Sequence, residues 1–202
     1  MKTKEAGDKV KIYRDEEVIY RMSQKRYEEA KNDIKDGYVI IDDVHIPFSE
    51  RFIISGKLYM TIPSEFVMMA PEAAKIKYPN ENRPAIILTN EDGTINITFS
   101  FTTDELEDVD DNVEVARNQL ARTMVRMNPA YKTISKSVIN EGIKIGYFDF
   151  VSPVLDGEIY NLTFIFALQG KLVLGCFNCL YSDSEAWLEV AQQMLRSIRV
   201  VD

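Results

Sequence analysis

The amino-acid sequence predicts an α+β domain, an antiparallel sheet with amphipathic helices laid on its faces. Two observations carry that expectation. Residues 131–139, 143–151, 158–168 and 171–180 have strand character and are separated only by Asn-Glu-Gly, Pro-Val-Leu-Asp-Gly and Gln-Gly, turn signals that join antiparallel neighbours. The segment SEAWLEVAQQMLRSIRV, residues 184–200, then puts Trp187, Val190, Ala191, Met194, Leu195 and Ile198 on one face of a helix. A sheet face and a helix stripe both have to be buried, and each is cover for the other.

The remaining elements follow in order. KVKIYRDEEVIYRM reads as a small hairpin around Asp15 and Glu16. A short helix follows, capped by Ser23, carrying Tyr27, Ala30 and Ile34 at helical spacing and stopped by Gly37. YVIID, VHIPF, RFIIS and KLYMTIP are strands, with Ser55 and Gly56 turning the last two and Pro63 ending the run. PEAAKIKY is a helical turn or two. AIILTNEDGTINITFSF is a hairpin around Asp92 and Gly93. Beyond the acidic DELEDVDD, Asp111 and Glu114 form a capping box for a helix whose stripe is Val113, Ala116, Leu120, Met124 and Met127, ended by Asn128 and Pro129. Ser182 and Glu185 form the capping box of the closing helix. No repeat or linker divides the chain, and the one soft boundary is at residue 48: residues 1–48 are an N-terminal extension with a short helix, and 49–202 are the domain.

Composition narrows the function. The 202 residues are 46% hydrophobic and 28% charged, as in a soluble globular protein. Thirty-two acids against 24 bases leave a net charge of −8, which repels phosphate backbones and anionic headgroups, so no nucleic acid is expected as a partner. No run approaches the ~20 apolar residues of a membrane span, and the expected location is the cytoplasm, although a leader removed from the chain would leave no trace in it.

GKLYMTIPSEF, then a hairpin, a helix, a meander of long strands, and a final helix with Trp187, Met194-Leu195 and Ser197-Ile198: this order resembles the PsbP-like superfamily, which includes DcrB-like bacterial proteins. The resemblance covers about residues 49–202 and includes the Pro63-Ser64-Glu65-Phe66 segment. It implies an α/β/α sandwich with helices on both faces of an antiparallel sheet, and roles in binding other proteins instead of catalysis.

The motifs that carry chemistry have plain structural explanations. Cys176 and Cys179 spell C-x-x-C, but residues three apart on a strand point to opposite faces, so their sulfurs diverge and no metal site is expected. His45 is the only histidine, which removes most general-base and triad mechanisms. DELEDVDD lacks the spacing of a calcium loop, and its charge suits a helix amino terminus. Asn96-Ile97-Thr98 and Asn161-Leu162-Thr163 match the glycosylation pattern but fall in strands. The apolar FVMMAP follows a strand-ending proline, and Phe66, Met68 and Met69 are the candidate partner-binding residues, because methionine adapts to irregular surfaces.

The expectation is therefore a non-enzymatic adaptor, chaperone-like or accessory module that binds another protein through a sheet face or the 66–71 loop, with no cofactor. An acidic immunity protein that blocks a basic toxin is one alternative, and a carboxylate-based hydrolase or metal enzyme is another. Replacing Cys176 and Cys179 together with Ser is expected to leave metal content unchanged. Stoichiometric zinc in the purified wild type, lost in the double variant, would contradict the opposite-face placement.

Overall fold

Turn chemistry and strand alternation build two antiparallel sheets. The computed structural model describes residues 32–54, 56–105 and 109–201, with the side chains of 103–105 and 109–111 left aside. The expected hairpin over 9–22 and the start of the expected helix over 23–37 lie outside these residues. The end of that segment is a single 3-10 turn, Ile34–Asp36, stopped by Gly37 at φ 82° as its glycine predicts.

The chain continues through β1 (Tyr38–Ile41), β2 (Val44–Ile54), β3 (Leu58–Pro63), β4 (Val67–Met68), α1 (Pro71–Lys77), β5 (Ile86–Thr89), β6 (Asn96–Glu105), α2 (Val109–Met127), β7 (Lys132–Ile139), β8 (Ile145–Val154), β9 (Gly157–Leu168), β10 (Lys171–Leu180), α3 (Ser184–Arg196) and β11 (Arg199–Val200). One sheet has the order β1-β2-β3-β11, the other β4-β5-β6-β10-β9-β8-β7. The sequence suggests one sheet, but Pro63 ends β3, a turn closed by Phe66 N–H on Pro63 C=O (3.1 Å) follows, and the next strand joins the second sheet. Residue 48, where composition places the domain edge, lies inside β2, which pairs with β1 on one side and β3 on the other.

One face of the seven-stranded sheet, the four-stranded sheet and α3 share a single core. Leu88, Ile97, Phe99, Tyr160, Leu162, Phe164, Phe166, Val173, Phe177 and Cys179 contribute from the large sheet, Val39, Leu58, Met60 and Ile62 from the small one, and Trp187, Val190, Met194 and Leu195 from α3. Trp187 packs on Phe177 with ring centroids 5.8 Å apart. Within this core Phe164 and Gly175 are direct cross-strand partners, and a Cβ on Gly175 would fall inside the Phe164 ring. Glycine is there for space, not for an unusual backbone angle.

α2 packs on the other face. Ala121, Leu120 and Met124 meet Phe148 and Phe150, and the helix comes so close to β8 that a Cβ on Gly146 would sit 3.1 Å from Val113 Cγ1 and 3.2 Å from Arg117 Cβ. Buried Arg117 donates to Ser137 C=O (2.7 Å) and ties α2 to β7. Two details of this helix differ from expectation. It starts at Val109, two residues before Asp111, and Met127 on the expected stripe is exposed.

The closing helix also differs at its ends. Its first residue is Ser184, whose hydroxyl donates to Tyr181 C=O (2.7 Å), while Ser182 donates to Asp183 (2.7 Å); the Ser182–Glu185 box does not form because a 3-10 turn, Tyr181–Asp183, precedes the helix. It stops at Arg196, and Arg199–Val200 pairs with β3. Ile198 is buried between helix and strand.

The sheet edges are handled separately. Among the described residues β1 is an edge strand, and the Asn32 carboxamide pairs with both polar groups of one residue on it, accepting from Ile40 N–H (2.9 Å) and donating to Ile40 C=O (2.7 Å). At the opposite extreme β7 carries an irregularity between Thr133 and Ser135. There the buried Asp149 carboxylate accepts from Ser135 N–H (2.6 Å), Ser135 hydroxyl (2.7 Å) and Tyr160 hydroxyl (3.0 Å). Burial, together with that carboxylate, pushes the Tyr160 hydroxyl pKa up.

Three substitutions test this architecture by urea midpoint. Trp187→Ala is expected to lose about 3–5 kcal/mol, as large-to-small changes in cores do. Gln192→Ala, off the buried face, is expected to lose less than about 0.5 kcal/mol. Gly175→Ala is expected to lose about 1–3 kcal/mol from overpacking against Phe164.

Candidate functional site

On the face of the large sheet that carries α2, apolar residues should alternate outward along every strand. Across the three central strands they do not. In register, Asn96, Asn178 and Asn161 form one rung across β6, β10 and β9, and Thr98, Cys176 and Thr163 form the next. Asn96, Thr98, Thr163 and Asn178 are buried, and Cys176 is half-buried. All of these but Asn96 floor a cavity of about 270 Å³, walled by Leu120 and Met124 of α2, by Tyr131 and Phe150, and by Tyr78 just after α1. Among the described residues that line it none is Asp, Glu, Lys, Arg or His.

The floor is held by its own hydrogen bonds. Asn96 Nδ2 donates to Asn178 Oδ1 (3.0 Å), and Asn161 Nδ2 donates to Ser152 Oγ (3.0 Å) and Ile159 C=O (3.1 Å). Thr163 Oγ1 donates to Cys176 Sγ (3.7 Å) and Thr98 Oγ1 to Cys176 C=O (3.4 Å). Burial raises the Cys176 thiol to about 11, with Thr163 and Asn178 working against the shift. The group is therefore a neutral thiol at pH 7, not a thiolate nucleophile. The Tyr78 hydroxyl is buried without a hydrogen bond of good geometry; burial raises its pKa and the nearby Asn178 amide opposes the rise.

The sequence-derived site residues are dispersed. Phe66 is 3% exposed in the main core, and Met69, 9% exposed, packs with Ala74 and Ile87. Met68, at 59%, and its neighbour Val67 are the solvent-facing members of the segment, on the short edge strand β4. The segment is thus anchored as Met69 N–H donates to Ile87 C=O (2.8 Å), and two of its three candidates are turned away from any partner. Cys179 belongs to the opposite face from Cys176, in the core, where burial raises it to about 12. His45 is exposed on β2 and stacks on Tyr38 at 4.3 Å.

A second surface stands on the small sheet. Phe52, 62% exposed, packs on Tyr59 with ring centroids 4.1 Å apart. Arg199 lies 4.7 Å from the Tyr59 ring centroid and is paired with Glu50 at 2.6 Å. Beside it, sharing Glu50, a more open cavity of about 520 Å³ lies between the Ile34–Asp36 turn, β2, β3 and the end of α3, with Arg196, Glu141 and Glu189 at its rim.

No family model matches this chain, and no curated protein matches it in sequence. Solved structures do. Cyanobacterial PsbP (CyanoP) from Synechocystis sp. PCC 6803 is 10% identical with a TM-score of 0.56, and the match covers 76% of this chain and 92% of that one. The chain has a PsbP-like fold. LpqN, involved in cell envelope biogenesis of Mycobacterium tuberculosis, is 11% identical over 80% of this chain and 95% of its own, with a TM-score of 0.48. The T6SS immunity protein TplEi from Pseudomonas aeruginosa, complexed with the "L" peptide, is 12% identical over 91% and 84%, with a TM-score of 0.41. At such identities the likeness is one of fold.

On this PsbP-like frame the polar rungs come from Asn96-Ile97-Thr98, Asn161-Leu162-Thr163 and Cys176-Phe177-Asn178. Each is a polar–apolar–polar triplet, and the sequence signal that marks them is their recurrence on strands whose polar face a helix also claims. For Cys176 the raised pKa has a direct consequence. Its modification rate by methyl methanethiosulfonate is expected to keep climbing with pH toward about 11, because only the thiolate reacts. A plateau near pH 9 would show an ordinary thiol.

Proposed function

We propose that this protein is a non-enzymatic binding module, an adaptor or chaperone-like accessory factor of the cytoplasm, that holds another protein against the outer face of its four-stranded sheet. The sandwich with helices on both faces belongs to the same proposal. The observation that carries it is the Phe52–Tyr59–Arg199–Glu50 platform. Aromatic and arginine side chains dominate binding hot spots, and these are already ordered against one another, so docking costs little further side-chain entropy. The net charge of −8 favours encounter with a basic partner. In the polar cavity the cysteine is held as a neutral thiol, which favours binding over nucleophilic chemistry at that place.

Cross-linking in the native source, followed by reconstitution with the purified partner, tests this. Phe52→Ala and Tyr59→Ala are each expected to weaken binding about tenfold or more, which is ~1.4 kcal/mol, whereas Met68→Ala changes it less than about twofold. The association rate is expected to fall as salt rises. Unchanged affinity in both aromatic variants would move the interface elsewhere, and substrate turnover that depends on a carboxylate would replace the binding module with an enzyme.

A further inference from the structure

We infer that the polar-floored cavity between β6, β10, β9 and α2 binds a small uncharged planar ring that carries a cyclic amide edge, a C=O beside an N–H, as in nucleobases and lactams. The inference concerns a different surface from the protein-binding platform and stands independently of it.

Three observations lead there. First, a helix-covered sheet face is normally apolar, as it is where Phe148 and Phe150 meet α2, yet the same two rungs turn polar where they cross β9, β10 and β6. Buried polar groups need matching partners, and the Tyr78 hydroxyl at the cavity wall has none of good geometry. Second, no described lining residue is ionisable as an acid or base near neutrality, so a charged ligand would be desolvated without compensation. Third, the intrastructural bonds leave a specific pattern facing the cavity. Asn178 has its Oδ1 occupied by Asn96, and its NH₂ is the donor at the cavity, beside the Cys176 thiol and the Tyr78 hydroxyl. Asn161 has its Nδ2 occupied by Ser152 and Ile159, which leaves its Oδ1 as acceptor apart from a 4.0 Å contact with the Cys176 thiol. The two residues are direct cross-strand partners, so one donor and one acceptor stand side by side. That is the complement of an amide edge, by the same donor-and-acceptor logic as the bidentate contact of one asparagine with adenine. Leu120 and Met124 offer an apolar cover and Tyr131 an aromatic one for the ring's faces, within about 270 Å³.

The test titrates the full chain with uracil, hypoxanthine and 2-pyrrolidone by calorimetry, with orotate and glucose alongside. Orotate adds a carboxylate to the uracil ring, and glucose offers hydroxyls without a planar amide. Binding of at least one amide ring at millimolar concentration, with orotate and glucose silent, is the expected result, and Asn178→Leu is expected to weaken it about tenfold or more. Because that variant also strips Asn96 of its partner, wild-type protein supplies a second readout: saturating ring is expected to slow methyl methanethiosulfonate modification of Cys176 about tenfold and to leave Cys179, on the opposite face, unaffected. Silence of all three rings, binding of orotate or glucose in their place, or ring binding that leaves Cys176 modification unchanged would each overturn the assignment.

Discussion

The register of β9 against β10 depends on one pair, the Phe164 ring lying over Gly175. A ring can occupy that space only where the facing strand has no side chain, and β10 has one glycine. A slip of two residues would drive the ring onto Val173 or Phe177, and a slip of one would turn the whole inner face of β9 to the other side of the sheet. Phe99 meets the same ring edge-on at 5.8 Å, which extends the constraint to β6. The alignment of Asn96, Asn178 and Asn161, and of Thr98, Cys176 and Thr163, is therefore a consequence of packing on the far side of the sheet. The cavity floor exists because the core beneath it admits one arrangement.

The two faces of the large sheet divide the labour. The inner one is closed by α3 and the small sheet, with Trp187 against Phe177 at the contact. Along the outer one, α2 comes to rest on Gly146 and holds β7 through Arg117, and it lies over β8 and β9 more than over β10 and β6. What remains open between α2 and Tyr78 is where the polar rungs lie. A glycine brings the helix close at one end, and side chains of ordinary size hold it away at the other.

Periodic features of the chain were legible from sequence because they are local. The four strands after residue 131 and the buried face of α3 follow from alternation and helical spacing, and Gly93 and Gly170 turn at φ 69° and 77° as turn chemistry demands. Features set by distant partners were not. The two-residue strand β11 exists only because β3 accepts it, and nothing in Arg199-Val200 announces a strand. The two capping boxes have the right spelling, yet α2 starts two residues before one of them and a 3-10 turn lies across the other. Phe66 and Met69 are apolar residues after a proline, and composition alone does not say that they point inward while Met68 points outward. The candidate cavity was the least legible part: Asn-x-Thr looks like a modification sequence until two copies lie in register on either side of Cys176-Phe177-Asn178.

The Asn32 carboxamide on β1 carries a wider consequence. By engaging both polar groups of Ile40 it imitates one residue of an adjoining strand, so the described edge of the small sheet ends in a counterfeit neighbour. β7 is guarded by other means, with Lys132, Lys136 and the irregularity beside Ser135 along its open side. Bare backbone edges are the templates on which chains stack into fibrils, and flat strands rich in β-branched residues such as Val39, Ile40 and Ile41 are well suited to it. Among the described residues a single side-chain amide thus stands where an adjoining strand would pair on β1, and its loss would be felt as shelf life and yield before it was felt as a change in binding.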